Sequence, residues 1–290
     1  MFIRASGEND ASPCNIPPLR PTILLAATAL MGQSHHPAVS HKKGIGESSQ
    51  PGAIRTIRDL KVSWYYNWTP RPVTCRGPKD IQFIPMIWGV KNLDPEDLTA
   101  AKATGSDTLL GFNEPNERTQ SNMTVQQALD AWPKLEALHM QLGSPASGTG
   151  DDVRPDGWLA QFMAGAKAKG LRVDFLCLHP YQSSFDPDQA TKDLVQEVTT
   201  MHHRYHLPIW VTEYAMAKWG PPQRTPNAAT QARFAAKSAE ALQKLPFVER
   251  YAWYGDVPHQ PTFSTNGRGG TPTQAGKAWA TAPEMPKGSR

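Results

Sequence analysis

Residues 108–139 read TLLGFNEPNERTQSNMTVQQALDAWPKLEALH and contain one complete unit of strand, loop and helix. The apolar run at 108–113 is typical of a buried strand. After a polar loop, Thr124 stands in an N-cap position and predicts a helix over 125–139. From Lys43 onward the chain repeats this alternation, and the repetition decides the fold.

Eight strand-like segments follow one another along the chain, at 43–46, 62–68, 83–88, 108–113, 140–147, 173–179, 208–213 and 250–254. Helices are predicted at 97–104, 125–139, 157–169, 189–206, 227–245 and 273–281, and the connection from 68 to 83 lacks a clear one. Eight strands mostly followed by helices predict an α/β fold, a (β/α)8 TIM barrel. An open nucleotide-binding sheet more often carries a glycine-rich loop after its first strand, and residues 44–47 lack the third glycine of that fingerprint.

Two glutamates, Glu114 and Glu213, each stand at the carboxyl end of a strand-like run. In a parallel barrel both rise at the same rim, although an acidic residue at a single strand end is often only a surface residue. Cleavage of a glycosidic bond needs two such carboxyl groups, one to protonate the leaving oxygen and one to stabilise or trap the sugar carbon. The pair therefore predicts glycoside chemistry.

Composition favours a neutral ligand. The formal net charge is only +4, and the 30 basic residues form no run longer than Lys42-Lys43, so neither a nucleic-acid stripe nor a membrane-binding patch is expected. Nine tryptophans are a heavy load for 290 residues, and such rings stack on sugar faces or fill the core. No cofactor is expected, and no metal site, because His202 and His206 have zinc-like spacing but position 203 is His where a metalloprotease has Glu.

Residues 1–42 form a predicted N-terminal tail ahead of one catalytic domain at 43–290. An apolar run at 22–31, followed by a polar stretch, resembles a secretory signal segment, although Glu8 and Asp10 precede it where a basic region is usual. We expect a secreted or extracytoplasmic protein; the other interpretation is a tail that the fold does not need. The three cysteines show no metal or redox spacing, Cys177 fits a buried strand position, and a bridge between Cys75 and Cys177 stays open.

Five short segments carry a resemblance to a known family. They are Lys43-Gly44, Trp64-Tyr65-Tyr66-Asn67-Trp68, Gly111-Phe112-Asn113-Glu114-Pro115-Asn116, His179-Pro180-Tyr181 and Thr212-Glu213-Tyr214. Together they resemble glycoside hydrolase family 128, retaining β-1,3-glucanases of clan A, across nearly all of the chain after the tail. The resemblance implies Glu114 as the acid/base and Glu213 as the nucleophile of a two-step retaining mechanism.

Residues beside the two glutamates are candidates for substrate binding. Asn113 can donate to a sugar hydroxyl, while His179 and Tyr181 can hydrogen-bond the nucleophile and hold it ionised. We expect Trp253 to face the rim and form a floor for the sugar ring. Weaker candidates for the same cleft are Asn67, Trp68 and Trp88.

Three functions remain open at this point. The leading one is retaining hydrolysis of β-1,3-glucan polysaccharide or oligosaccharide, with cleavage inside the chain and a monomeric enzyme expected. The second is a module that binds β-glucan oligosaccharides in the same cleft without cutting them. The third is a barrel glycosidase that acts on another β-linked glycan, since clan A shares these motifs across many substrates.

Overall fold

The computed structural model describes residues 42–49, 52–73, 78, 80–148, 150–255 and 272–282. The strands in these ranges, β1 to β8, are Lys43–Gly46, Trp64–Tyr66, Gln82–Phe83, Thr108–Leu109, Gln141–Leu142, Leu176–Leu178, Ile209–Val211 and Val248–Tyr254. The helices, α1 to α7, are Ala53–Asp59, Pro95–Ala103, Val125–Glu136, Trp158–Lys169, Pro187–Tyr205, Ala228–Lys244 and Gln274–Thr281. A short 3₁₀ helix, Val90–Asn92, precedes α2.

The strands form one closed parallel ring. Six of them pair in the order β3-β2-β1-β8-β7-β6, and β4 pairs with β5. Parallel bridges join these two groups, from Met86 to Leu110 between the ends of β3 and β4 and from Gly143 to Phe175 between β5 and β6. Each strand therefore has two neighbours, which is the (β/α)8 barrel that the sequence predicts.

Alternating side chains divide the apolar core into a barrel interior and a layer beneath the helices. The interior consists of Trp64, Tyr66, Ile84, Met86, Leu110, Ala146, Phe175, Cys177, Trp210 and Ala252. Large rings fill this space so closely that a Cβ on Gly44 of β1 would lie 2.2 Å from the Trp64 ring. The barrel is consequently a packed core, and a ligand can reach it only from a rim.

Six of the eight strands, β2 to β7, end earlier than predicted. β2 ends at Tyr66 and β4 at Leu109, for example, whereas the sequence predicts strands to 68 and 113. Trp68 and Glu114 have φ values of 60° and 41°, a left-handed conformation that a strand cannot continue. The rim is therefore built from loop backbone beyond each strand.

The predicted helices are present. One further helix, α1, lies between β1 and β2, where no helix bounds are predicted. Gly52 precedes α1 with φ 96° and has no side chain to cap it, so the sequence carries no start signal there. The connection from 68 to 83 has no helix in its described residues, as expected.

Some sequence predictions fall outside the described residues, namely those on 1–41 and on Cys75. Cys177 is a buried free thiol of the barrel interior. In the part of the chain that the structure describes, no helix is long and apolar enough to cross a membrane.

Candidate active site

The two predicted glutamates meet at the carboxyl ends of the strands. Glu114 follows β4 and Glu213 follows β7, and their side chains are 13% and 5% exposed. One carboxylate oxygen of each glutamate and one ring nitrogen of His179 lie within 4.8 Å of one another. The backbone N–H of Glu114 donates to the carbonyl of Ala146 at 2.7 Å, which ties the loop after β4 to that after β5.

His179 lies between the glutamates and is fully buried. Its Nδ1 is 2.9 Å from Oε1 of Glu114, and its Nε2 is 3.6 Å from Oε1 of Glu213. The residue comes directly after β6, so one imidazole ring links carboxyl groups that arrive from β4 and β7. This contact makes the rotamers of the two glutamates depend on each other.

Glu213 accepts hydrogen bonds from aromatic side chains at both oxygens. Trp68 Nε1 donates to Oε1 at 2.7 Å, and the Tyr181 hydroxyl donates to Oε2 at 2.7 Å. The Tyr66 hydroxyl lies 3.2 Å from Oε1 and 3.0 Å from the carbonyl of Thr212, between which its one proton is shared. The carboxyl group is thus held in one orientation by groups from β2, β6 and β7.

The charges of the site act on one another. Burial raises the pKa of Glu213 and the charge of Glu114 raises it further, while His179 and the donors Tyr181 and Trp68 lower it; the net direction is upward. For His179, burial lowers the pKa, but the carboxylates of Glu213 and Glu114 outweigh burial and raise it. The expected donors to Glu213 are therefore present, yet they do not hold its pKa below the ordinary range.

Trp68, His179 and Tyr181 contact the glutamates, whereas the other candidates are placed differently. Asn113 is buried; its Nδ2 donates to Gln120 at 3.3 Å, and its Oδ1 has no hydrogen-bond partner among the described residues. Trp88 is partly buried and packs against the barrel interior, and its carbonyl accepts from the Asn113 N–H at 2.9 Å.

Asn67 is occupied by the loop that follows β2. Its Nδ2 donates to Ser49 Oγ at 2.8 Å and to the Arg71 carbonyl at 2.9 Å, and its Oδ1 accepts from Thr69. The side chain is also buried. Asn67 therefore shapes the loop that carries Trp68, and its predicted contact with sugar is not supported.

The prediction for Trp253 is wrong. This side chain is fully buried in the layer beneath the helices, where its ring centroid lies 5.3 Å from that of Tyr214 and 5.7 Å from that of Trp279. On β8 the interior residue is Ala252, so Trp253 points away from the barrel axis. It cannot form a floor for substrate.

Three aromatic residues of the rim were not predicted: Tyr66, Trp219 and Tyr254. The Tyr254 ring lies 5.9 Å from Trp68, 5.7 Å from Tyr181 and 6.3 Å from Trp219. Burial raises the pKa of the Tyr254 hydroxyl, and the charges of both glutamates add to this shift. The sequence signal for Tyr254 is its position one residue after Trp253, because a residue next to an outward-facing one on a strand faces inward.

Glu114, His179 and Glu213 also form a group whose donor atoms can reach a single metal ion. Here Nδ1 of His179 is already paired with Glu114, and Oε1 of Glu213 already accepts from Trp68. Two of these atoms are thus engaged in hydrogen bonds, whereas the buried Nε2 of His179, 3.6 Å from Glu213, has no hydrogen-bond partner among the described residues.

Comparison with known proteins places this site in a class of enzyme. A family model described as "Glycosyl hydrolase catalytic core" matches residues 44–279. The chain is also 27% identical over 230 residues to "Alkali-sensitive linkage protein 1" of Schizosaccharomyces pombe; the match covers 75% of this chain and only 39% of that protein's length. The fold and these matches define a glycoside hydrolase.

Solved structures narrow the assignment. A subgroup I endo-β-1,3-glucanase of glycoside hydrolase family 128 from Amycolatopsis mediterranei, in complex with laminaritriose, is 42% identical with a TM-score of 0.78 and covers 84% of this chain and 100% of its own. A subgroup III curdlan-specific exo-β-1,3-glucanase from Blastomyces gilchristii is 27% identical with a TM-score of 0.66, covering 85% and 100%. This chain belongs to glycoside hydrolase family 128.

Proposed function

We propose that this enzyme hydrolyses β-1,3-glucan by a retaining mechanism and cuts within the chain. One observation carries the proposal: Glu114 and Glu213 face each other at the carboxyl rim with oxygens within 4.8 Å. Retaining glycosidases place the carboxyl groups about 5–5.5 Å apart, whereas inverting ones leave about 6.5–9.5 Å for a water molecule. The short separation favours direct attack by one carboxylate.

In the first step Glu114 protonates the glycosidic oxygen while a Glu213 oxygen attacks the anomeric carbon, and the leaving glucan departs as an alcohol. In the second step Glu114 removes a proton from water, which displaces Glu213 from the sugar. Each displacement inverts the anomeric carbon, so the product retains its configuration. His179, Trp68 and Tyr181 support these steps by orienting the two carboxyl groups.

The choice of substrate is supported by the relatives. The Amycolatopsis mediterranei enzyme is an endo-β-1,3-glucanase solved with laminaripentaose and laminarihexaose in forms that have one glutamate replaced, and with laminaritriose and laminaribiose in a form that has another glutamate replaced. Those two glutamates are separated in sequence almost as far as Glu114 and Glu213 are here. We infer the same linkage and internal cleavage for this chain, a monomeric enzyme, and action outside the cytoplasm, where polymeric glucan is accessible.

Substitution of each glutamate tests the roles. Glu114→Gln and Glu213→Gln should each lower turnover on glucan at least about a hundredfold, because general acid catalysis alone contributes that much or more. Glu240→Gln, the same change at an exposed residue of α6, should leave turnover unchanged. A glutamine variant that keeps more than about a tenth of the wild-type rate contradicts the assignment.

Azide distinguishes acid/base from nucleophile. With an activated aryl glycoside, Glu114→Ala should give the β-glycosyl azide, because azide attacks the Glu213 ester from the opposite face. Glu213→Ala should give the α-glycosyl azide, because azide fills the space left by the nucleophile. Exchanged products would reverse the two roles.

A panel of linear β-1,3-, β-1,4- and mixed-linkage glucans tests the linkage, and release of glucose alone from the chain end would contradict internal cleavage.

A further inference from the structure

Two acidic side chains that the proposed mechanism does not use lie against each other behind the site. Asp152, in the loop between β5 and α4, is fully buried, and Glu197, in the middle of α5, is partly buried. Their carboxyl groups lie within hydrogen-bonding reach of each other. Two ionised carboxylates in contact repel each other strongly away from water, so a hydrogen bond requires one proton between them.

The remaining atoms of the pair connect to backbone and to one amide. Asp152 Oδ1 accepts from the N–H of Val153 at 3.0 Å, while its buried Oδ2 has no other partner among the described residues and is free to accept the shared proton. Gln182 Nε2 donates to Glu197 Oε2 at 3.2 Å and to the Pro180 carbonyl at 3.1 Å. The pair thus joins α5, the loop after β5 and the turn after β6.

That turn carries two residues of the site. It runs from His179, next to Glu114, through Tyr181, which donates to Glu213, to Gln182. The backbone of Gln182 also bonds to the segment after β7, through its N–H to Ala215 and its carbonyl to Ala217, both at 3.0 Å. A shift of Gln182 would therefore move the groups that orient both glutamates.

We propose that Asp152 and Glu197 are positioning residues of this enzyme, a carboxyl pair that shares one proton and thereby holds the 179–182 turn in place. The shared proton lets Glu197 donate to Asp152 with one oxygen and accept from Gln182 with the other. Removal of that proton leaves two charges in contact and loosens the turn. The kinetic consequence rests on the proposed function, whereas the titration of the pair does not.

The surroundings agree with this arrangement. Burial raises the pKa of Asp152 to about 6, and burial together with the Asp152 charge raises the pKa of Glu197 to about 8. The charged groups that face the pair are His179 from the end of β6, Asp151 from the same loop and Asp193 from the preceding turn of α5.

The sign of the stability effect follows from these shifts. Since the folded state binds the proton at pH values where an unfolded Glu has lost it, the contribution is fully present below about pH 4.3 and is lost as pH rises toward about 8. The melting temperature should therefore fall across this interval.

Glu197→Gln tests the proposal, because its amide can donate to Asp152 and its carbonyl can accept from Gln182 at every pH. Between pH 5 and pH 8 the wild-type melting temperature should fall by at least about 2 °C more than that of the variant. The ratio of variant to wild-type kcat on glucan should be near one at pH 6 and should rise toward about tenfold at pH 9, where a group with a pKa near 8 is mostly ionised. The ratio cancels any pH dependence that the two enzymes share.

Glu240→Gln is the matched control, because it makes the same change at an exposed carboxylate of α6 that is not among the charges facing the pair. In this control the melting temperature should fall with pH as it does in the wild type, and the ratio of its kcat to the wild-type kcat should not change with pH. In the infrared, wild type and the control at neutral pH should show one protonated-carboxyl band more than Glu197→Gln does.

The proposal would be overturned if the melting temperatures of wild type and Glu197→Gln fell equally with pH and the ratio of their kcat values stayed constant. The absence of the additional infrared band from wild type would overturn it as well. Should Glu197→Gln not fold, Asp152→Asn, whose amide donates to an ionised Glu197, carries the same expectations. A failure to hydrolyse any glucan would defeat the proposed function alone, because the melting and infrared measurements decide the pair independently.

Discussion

At the scale of single residues, two residues of the candidate site have a positive φ, a backbone conformation that few residues other than glycine adopt. Glu114 has φ 41° and Trp68 has φ 60°, and both side chains contact the rest of the site. For residues other than glycine such conformations cost roughly 1–2 kcal/mol and persist only where the surroundings enforce them. In Glu114 the enforcing contact is the short backbone bond to Ala146. The backbone at Glu114 is therefore strained in a way that glycine would not be.

The backbone conformation of Glu114 predicts an unusual order of stability. Both Glu114→Gly and Glu114→Ala remove the carboxyl group, so the two variants differ only in how readily they adopt φ 41°. Glycine should be the more stable by about 1 kcal/mol in urea unfolding, whereas in strands and helices Ala is favoured by about 0.5–1 kcal/mol. An alanine variant as stable as the glycine variant would mean that this backbone is not strained.

At the scale of elements, helix starts were the most predictable features. Asp94, Thr124, Asp186, Asn227 and Thr273 each accept a backbone N–H of the first turn, as their residue types suggest.

The start of α4 shows what local sequence misses. Asp156, directly before the helix predicted at 157–169, has a residue type that favours capping, but Asp151 accepts the N–H groups of Trp158 and Leu159. Asp151 reaches the helix from several residues earlier, through the fold of the loop, and local sequence does not encode such a contact.

Strand β8 shows how a correct element can be given the wrong face. The sequence Tyr251-Ala252-Trp253-Tyr254 predicts a strand with either set of alternate residues inward, because large rings occupy both sets. The pairing of Ile45 with Trp253, and of Gly44 with Ala252, puts Ala252 and Tyr254 on the inner side. Residue type alone could not choose between the two faces, whereas the neighbouring strand does.

Substitutions on the two faces of β8 should separate stability from catalysis. Trp253→Ala leaves a cavity among Tyr214, Phe234 and Trp279 and should cost about 3–5 kcal/mol in unfolding free energy, with near-normal kcat and KM for the folded fraction. Tyr254→Ala should instead lower kcat/KM at least about fivefold, because it removes a ring from the rim beside Trp68 and Tyr181. The free energy of unfolding and the kinetic constants, measured on the same preparations, check both expectations. If Trp253→Ala lowered kcat/KM and Tyr254→Ala lowered only stability, Trp253 would belong to the cleft after all.

At the scale of the whole molecule, the barrel divides its work between two ends. Glu114, His179 and Glu213 follow three different strands, and the sequence assigns each to the correct strand but does not predict the imidazole contact between the two glutamates. That contact depends on the tilt and closure of the ring, which no local pattern specifies. The carboxyl rim is accordingly the end for binding and chemistry, and the amino end is available for stability.

Arg250 closes the amino end of the barrel. Its guanidinium carbon lies 4.6 Å from the centroid of the Trp210 ring and 5.5 Å from that of Trp64, and it donates to Gln82 at 2.6 Å. Burial lowers its pKa to about 10, so the group stays charged at neutral pH. The two indole rings are themselves in contact, with centroids 5.4 Å apart, and a planar cation over both rings is attracted by each of them.

Arg250→Met keeps an apolar stem of similar length but removes the guanidinium. We expect a loss of about 1–2 kcal/mol in unfolding free energy with kcat/KM unchanged, because the substitution lies at the end of the barrel opposite the glutamates. Arg250→Lys should recover little of this loss, since an ammonium is more strongly hydrated and lacks the planar group that lies over Trp64 and Trp210. Arg233→Met on the exposed face of α6 is the control and should change neither quantity. If fully folded Arg250→Met had a lower kcat/KM than wild type, the two ends of the barrel would be coupled. If its free energy of unfolding were unchanged, the guanidinium of Arg250 would not stabilise the barrel.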